Sequence, residues 1–150
     1  MKYLTYVFIA GLILLLVGCG PSLEEELAEA GVVSMNEIVG DFHRNSVTAE
    51  LKYEDENLTI SGQVDHIDAV EDSRIIAGSH YILIRADKGF VWVYCEVDQS
   101  DVLTLETGNF IIVNGIFRTE SPRGVRTSGA NYFLDGCSIV TDQYIDIVSK

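Results

Sequence analysis

Two stretches of this chain repeat one pattern of apolar and polar positions. Leu58, Ile60, Gly62 and Val64 in the first, and Ile111, Val113, Gly115 and Phe117 in the second, both read apolar-x-apolar-x-Gly-x-apolar. A period of two marks a strand with one buried face. A glycine inside such a strand marks a bulge or a sharp bend. In the first stretch the inward parity is even through Val64 and odd at Ile67 and Ala69, so an extra residue is predicted near Asp65-His66. Alternating runs also stand at residues 80–85 and 90–97, joined by the turn Asp87-Lys88-Gly89, and at residues 132–140, with a kink at Asp135-Gly136.

Helical patterns precede and interrupt these strands. Ser34 and Glu37 have capping-box spacing and open a helix whose apolar stripe is Ile38, Val39 and Phe42. Asn45 can cap a second short helix in which Ala49 and Tyr53 share a face. Asp98 to Asp101 looks like a third helix start, with Val102, Leu103 and Leu105 behind it. The order is strand, strand, strand, short helix, strand, strand, with helices in front. That is the order of a mainly β, five-stranded Greek-key barrel of the OB-fold type.

From about residue 36 to residue 140 the chain resembles a family of secreted bacterial proteins named for their likeness to tRNA anticodon-binding OB domains. The resemblance is carried by Asn45, Ala49 and Tyr53, by the run LTISGQV at 58–64, and by Val93-Tyr94-Cys95. Thr107-Gly108-Asn109, the run IIVNG at 111–115 and Leu134-Asp135-Gly136-Cys137 complete it. These are framework positions, so the resemblance implies a fold and a location outside the cytoplasm, and no activity.

The amino terminus follows a different pattern. An unbroken apolar run covers residues 7–17 and ends in Leu16-Val17-Gly18-Cys19. A spanning helix needs roughly 20 apolar residues, so this shorter run reads as a signal-peptide core. The ending resembles the bacterial lipobox, which implies cleavage before Cys19 and its lipidation; an ordinary secretory signal is the alternative. The expected organisation is a signal peptide over 1–18, an acidic tether over 19–33 and an OB-fold domain over 34–150. The run LEEELAEA in the tether has good helix formers for a short helix, but its like charges favour a solvated, extended chain. With Cys19 acylated, Cys95 and Cys137 remain. The third and fifth barrel strands are neighbours in an OB fold, and an even cysteine count in an oxidising compartment favours a disulfide over two buried thiols.

Charge narrows the function. The formal net charge is −13, with ten Lys and Arg in all. Nucleic-acid binding needs a basic track that releases counterions, so it is not expected. Only Arg118, Arg123 and Arg126 cluster, in the loop between the last two strands, where they are solvated or contact an anion or sugar. His43, His66 and His80 have no ligand spacing. Asp65, Asp68, Glu71 and Asp72 form an acidic run that is solvated or binds Ca²⁺ weakly. No nucleophile elbow, zinc-protease signature or phosphate-cradling loop is present, so neither an enzyme nor a cofactor is expected.

One outward stripe remains. If Val93, Cys95 and Val97 point into the barrel, Phe90, Trp92 and Tyr94 point out, beside Tyr81 and Leu83. The second and third strands form the usual OB binding surface. The stripe is then an exposed platform for a partner, or a second small core covered by the amino-terminal helix. The expected protein is a membrane-anchored envelope lipoprotein with a non-catalytic OB-fold binding domain, its partner an envelope protein or a glycan. An oligosaccharide- or small-ligand-binding module and an envelope enzyme are the alternatives.

Overall fold

A computed structural model of the chain describes residues 21–69, 79–86, 92–120 and 132–149. The described elements begin with helix α1 (Leu23–Glu29), strand β1 (Val33–Ser34) and helices α2 (Met35–Arg44) and α3 (Ser46–Tyr53). Strands β2 (Asn57–Ala69), β3 (Ser79–Arg85) and β4 (Trp92–Asp98) follow, then the short helix α4 (Gln99–Val102). Strands β5 (Phe110–Arg118) and β6 (Tyr132–Ile139), a 3-10 turn (Thr141–Tyr144) and helix α5 (Ile145–Val148) complete them.

The alternating runs close on themselves. The sheet order is β1-β2-β3-β4-β6-β5, and β5 pairs back onto β2. Within the barrel β4 and β6 are parallel and every other neighbouring pair is antiparallel. This is the OB-fold circuit that the order of elements predicts. Ile60, Val64, Ile82, Ile84, Val93 and Cys95 point inward, with Ile111, Val113 and Phe117 of β5. Met35, Ile38 and Val39 of α2, and Ala49 and Tyr53 of α3, join the same core. The caps behave as read, since Glu37 N donates to Ser34 Oγ at 3.1 Å and Thr48 N to Asn45 Oδ1 at 3.2 Å.

The parity flip in β2 has its expected cause. Val64 pairs with Ile84 and His66 with Leu83, so Asp65 is the extra residue of a bulge. The kink in β6 is also present: the ladder steps from Asn114–Ser138 to Ile116–Asp135, and Gly136 has a φ of +62°. The two motif glycines divide: Gly115 stands at the register step of the β5–β6 ladder, as expected, whereas Gly62 does not coincide with the β2 bulge. A Cβ on Gly62 would lie 2.5 Å from Ile84 Cγ2, and one on Gly115 3.1 Å from Leu134 Cβ. Gly62 sits ahead of the bulge and is required by close approach.

Residues 22–33 depart most from expectation. Instead of an extended tether, α1 is a capped helix docked on the barrel. Glu25 N donates to Ser22 Oγ at 3.3 Å, and Ser22 N donates to Glu25 Oε2 at 2.8 Å, a complete capping box. At the other end Gly31 N bonds Ala28 O at 3.0 Å and Val32 N bonds Leu27 O at 2.9 Å, with Gly31 at φ +81°. That is a Schellman stop, with Leu27 and Val32 as its apolar contact. Leu27 is 1% exposed, clustered with Val32, Ile112, Val140 and Tyr144. Burying one leucine and satisfying both helix ends outweighs the repulsion among Glu24, Glu25 and Glu26. Ordered structure therefore starts by Ser22, ahead of the predicted boundary at 34.

Candidate binding face on the barrel

Barrel parity decides which side chains face outward on β3 and β4. Ile82 and Ile84 are fully buried inside, so Tyr81, Leu83 and Arg85 lie on the outer face of β3. Across the ladder, Leu83 pairs with Tyr94 and Tyr81 with Glu96. Tyr94 in turn pairs with Phe133 on the parallel strand β6. Ring centroids lie 6.3 Å apart for His66–Tyr81, 5.2 Å for Tyr81–Tyr94 and 5.8 Å for Tyr94–Phe133. These spacings suit offset and tilted aromatic pairs. One aromatic band thus runs over four strands, from the bulge of β2 to β6.

The band is graded in exposure. His66 is exposed and Tyr81 half-buried, whereas Tyr94 is 5% and Phe133 8% exposed. Tyr94 therefore lies on the predicted face without being an exposed part of it. Parity assigns a residue to a side and does not say what stacks over it. The buried clusters that hold the amino-terminal helices contain neither Tyr94 nor Phe133. Trp92 stands opposite Arg85 in register. Phe90, Arg123 and Arg126 lie outside the described residues.

Ion pairs occupy the cations around this face. Arg85 donates to Asp65 Oδ1 at 3.2 Å and to Gln63 Oε1 at 3.5 Å, so the bulge residue anchors the rim. Arg118 is the last residue of β5, placed there by the ladder to Phe133, and it pairs with Asp55. Elsewhere Arg44 pairs with Asp41, and Lys52 with both Asp41 and Glu37. Each Lys and Arg among the described residues is therefore ion-paired.

The Asp41 cluster is the most polarised group in the described chain. Lys52 Nζ and the Tyr53 hydroxyl donate to Asp41 Oδ2 at 2.8 and 2.7 Å. The bond from Lys52, then that from Tyr53, holds the Asp41 carboxyl below the usual carboxylate range. The Lys52 ammonium is pushed up, chiefly by Asp41, and burial pushes the Tyr53 hydroxyl up to about 12. A general base or nucleophile needs a pKa near working pH, and these shifts move away from it. The cluster fastens α3 to α2.

Away from this face a cleft of about 500 Å³ opens at the α4 end, its polar lining including Ser100, Asp101, Thr104, Asn109 and Asp142. Its lining is mixed, with Leu105, Ile111 and Ile139 beside these polar groups, and Phe110 is partly exposed at its edge. The spacing of residues does not announce it, because its lining comes from three separated segments. Among the described residues no three His, Cys, Asp or Glu side chains are placed to hold a metal ion. Cys95 and Cys137 come together at disulfide distance, with Cα atoms 5.5 Å apart.

The family model described as tRNA_anti-like matches residues 5–125, which takes in β2 to β5 and stops short of β6. No curated protein matches the chain. A similar solved structure is the crystal structure of a "putative nucleic acid-binding lipoprotein" from Klebsiella pneumoniae subsp. pneumoniae MGH 78578, at 20% identity and a TM-score of 0.54. The match covers 81% of this chain and 99% of that one. At that identity it speaks for the fold.

Proposed function

The chain belongs to the tRNA_anti-like family, and from that premise we propose a lipid-anchored envelope protein that binds a protein partner on the outer face of β3 and β4, without catalysis. The observation that carries the binding face is the aromatic band from His66 to Phe133. Its buried end, Tyr94 and Phe133, gives Tyr81 and His66 a rigid backing, and rigid aromatic surface is what interfaces use as anchors. Anchoring is supported by the lipobox ending at Cys19 and by a similarly folded lipoprotein. Among the described residues no helix is long and apolar enough to cross a membrane. That neighbour's name carries nucleic-acid binding. Here the ion-paired cations and the net charge of −13 favour a partner other than a polyphosphate.

A second reading, an oligosaccharide- or small-ligand module, is favoured by the cleft beside Phe110. Its hydroxyls and carboxylates, set beside the apolar Phe110, Leu105 and Ile139, suit a neutral ligand that carries both hydroxyls and an apolar ring face. A photoreactive phenylalanine analogue separates the two. Placed at Tyr81 in cells, it keeps a ring against Tyr94 and should give a discrete protein adduct. The same analogue at the exposed Leu51 of α3 should give none. Equal labelling at both positions rejects the β3–β4 face, and adducts of glycan mass at Phe110 support the cleft.

A further inference from the structure

We propose that in the anchored protein α1 and the carboxy-terminal segment lie against the bilayer, and that the β3–β4 face points away from it. The proposal rests on the acylation of Cys19 proposed above. Its starting point is chain length. Cys19 stands three residues before Ser22, the N-cap of α1, and an extended chain covers at most about 11 Å over that distance. The second step is that α1 is fixed to the barrel. Leu27 is buried, and its cluster is completed by Ile112 and by Val140, Tyr144 and Ile147 of the carboxy-terminal segment. Ile112 lies on the outside of β5, because its neighbours Ile111 and Val113 belong to the inner core.

The circuit of the barrel supplies the third step. β5 has β2 and β6 as its neighbours, and β3 and β4 come next on either side. In a closed ring of five strands, the outside of β5 is therefore opposite the outside of the β3–β4 pair. A lipid attached three residues before the N-cap of α1 brings the β5 side to the bilayer and turns the aromatic band toward the aqueous phase. An extended tether over 19–33 would have allowed any orientation.

The chemistry of the membrane-facing side is consistent with lipid tethering. Leu23, the first residue of α1, is 42% exposed and Ile145 of α5 is 52% exposed, so each offers apolar surface to an interface. Glu24, Glu25 and Glu26 fill the first turn of α1, which gives anionic headgroups nothing to attract. The acyl chains, and not surface charge, hold the domain in place. The partner of the β3–β4 face is then met from solution, and membrane lipid is not that partner.

Amide NMR of the mature acylated protein tests the orientation. The protein is placed in phosphatidylethanolamine–phosphatidylglycerol nanodiscs, with and without a gadolinium-chelate headgroup lipid. Signals from α1 and α5 should be lost selectively, while those from β3 and β4 persist. Uniform attenuation, or selective loss on β3 and β4, overturns the proposal. Intact mass taken before reconstitution tests the anchor separately: an unacylated Cys19 overturns the anchoring itself. A long Gly-Ser insert between Gly20 and Pro21 should abolish the selectivity, and persistence of the selectivity would show that the short link does not set the orientation.

Discussion

A methyl group on Gly62 would stand 2.5 Å from Ile84 Cγ2 and 3.2 Å from the Arg85 carbonyl oxygen. Both atoms belong to the end of β3, and one of them is backbone, so the strand itself must move to admit a side chain. Gly62→Ala should therefore destabilise the domain by about 1–3 kcal/mol, the usual cost of overpacking. Gly40 provides the opposite case, being inside α2 with open space where its Cβ would be. Gly40→Ala should stabilise by about 0.4–1 kcal/mol, through helix propensity and a less flexible unfolded chain. Urea unfolding of the two variants measures both. Shifts of the same sign would show that the space around Gly62 is not what requires glycine. One residue class in one chain thus gives two outcomes, and the surroundings decide which.

At the scale of elements the weak point of the barrel is its parallel seam. Among the described residues only Val93–Tyr132, Tyr94–Phe133 and Cys95–Leu134 join β4 to β6, and Cys95–Cys137 crosses the same seam. Its cysteines are 42 residues apart, and closing a loop of that size is worth about 4 kcal/mol in the chain-entropy model. Replacing both with serine should cost about that much and weaken the near-ultraviolet dichroism of the Tyr81–Tyr94–Phe133 stack. Two alkylatable thiols in native, unreduced protein would overturn the pairing. The seam was legible in the sequence because strand order dictates which strands are neighbours. The Asp65 bulge was legible too, since a change of parity needs an extra residue. The docking of α1 was not read, although its signals are local: Ser22 and Glu25 have capping-box spacing, and Gly31 follows Leu27 and precedes Val32. What those signals lack is the surface that buries Leu27, which includes Ile112 and Tyr144, far along the chain. The grading of the aromatic band was illegible for a related reason. Alternation reports the side a residue faces, whereas the burial of Tyr94 depends on rings from two neighbouring strands.

For the molecule as a whole, the open question is whether an OB barrel on this charge background can hold a nucleic acid. Binding single strands takes aromatic stacking together with a cationic groove along the backbone. The band supplies the first component. The second is neutralised wherever the chain is described: Arg85 is tied to Asp65, Arg118 to Asp55, and Lys52 to Asp41 and Glu37. A phosphate must compete with each of these carboxylates, against the repulsion of a chain carrying 23 acidic residues and ten basic ones. The mature domain should accordingly show no salt-dependent change in anisotropy with labelled single-stranded DNA or RNA at physiological ionic strength. Asp65→Asn is the informative variant, because it loosens Arg85, on the same outer face of β3 as Tyr81, without touching the core. If charge is what forbids binding, this variant should gain weak affinity that disappears as salt is raised. Wild-type binding whose logarithm falls steeply and linearly with the logarithm of salt concentration would instead show that phosphates are contacted, and the partner of the β3–β4 face would then be a nucleic acid.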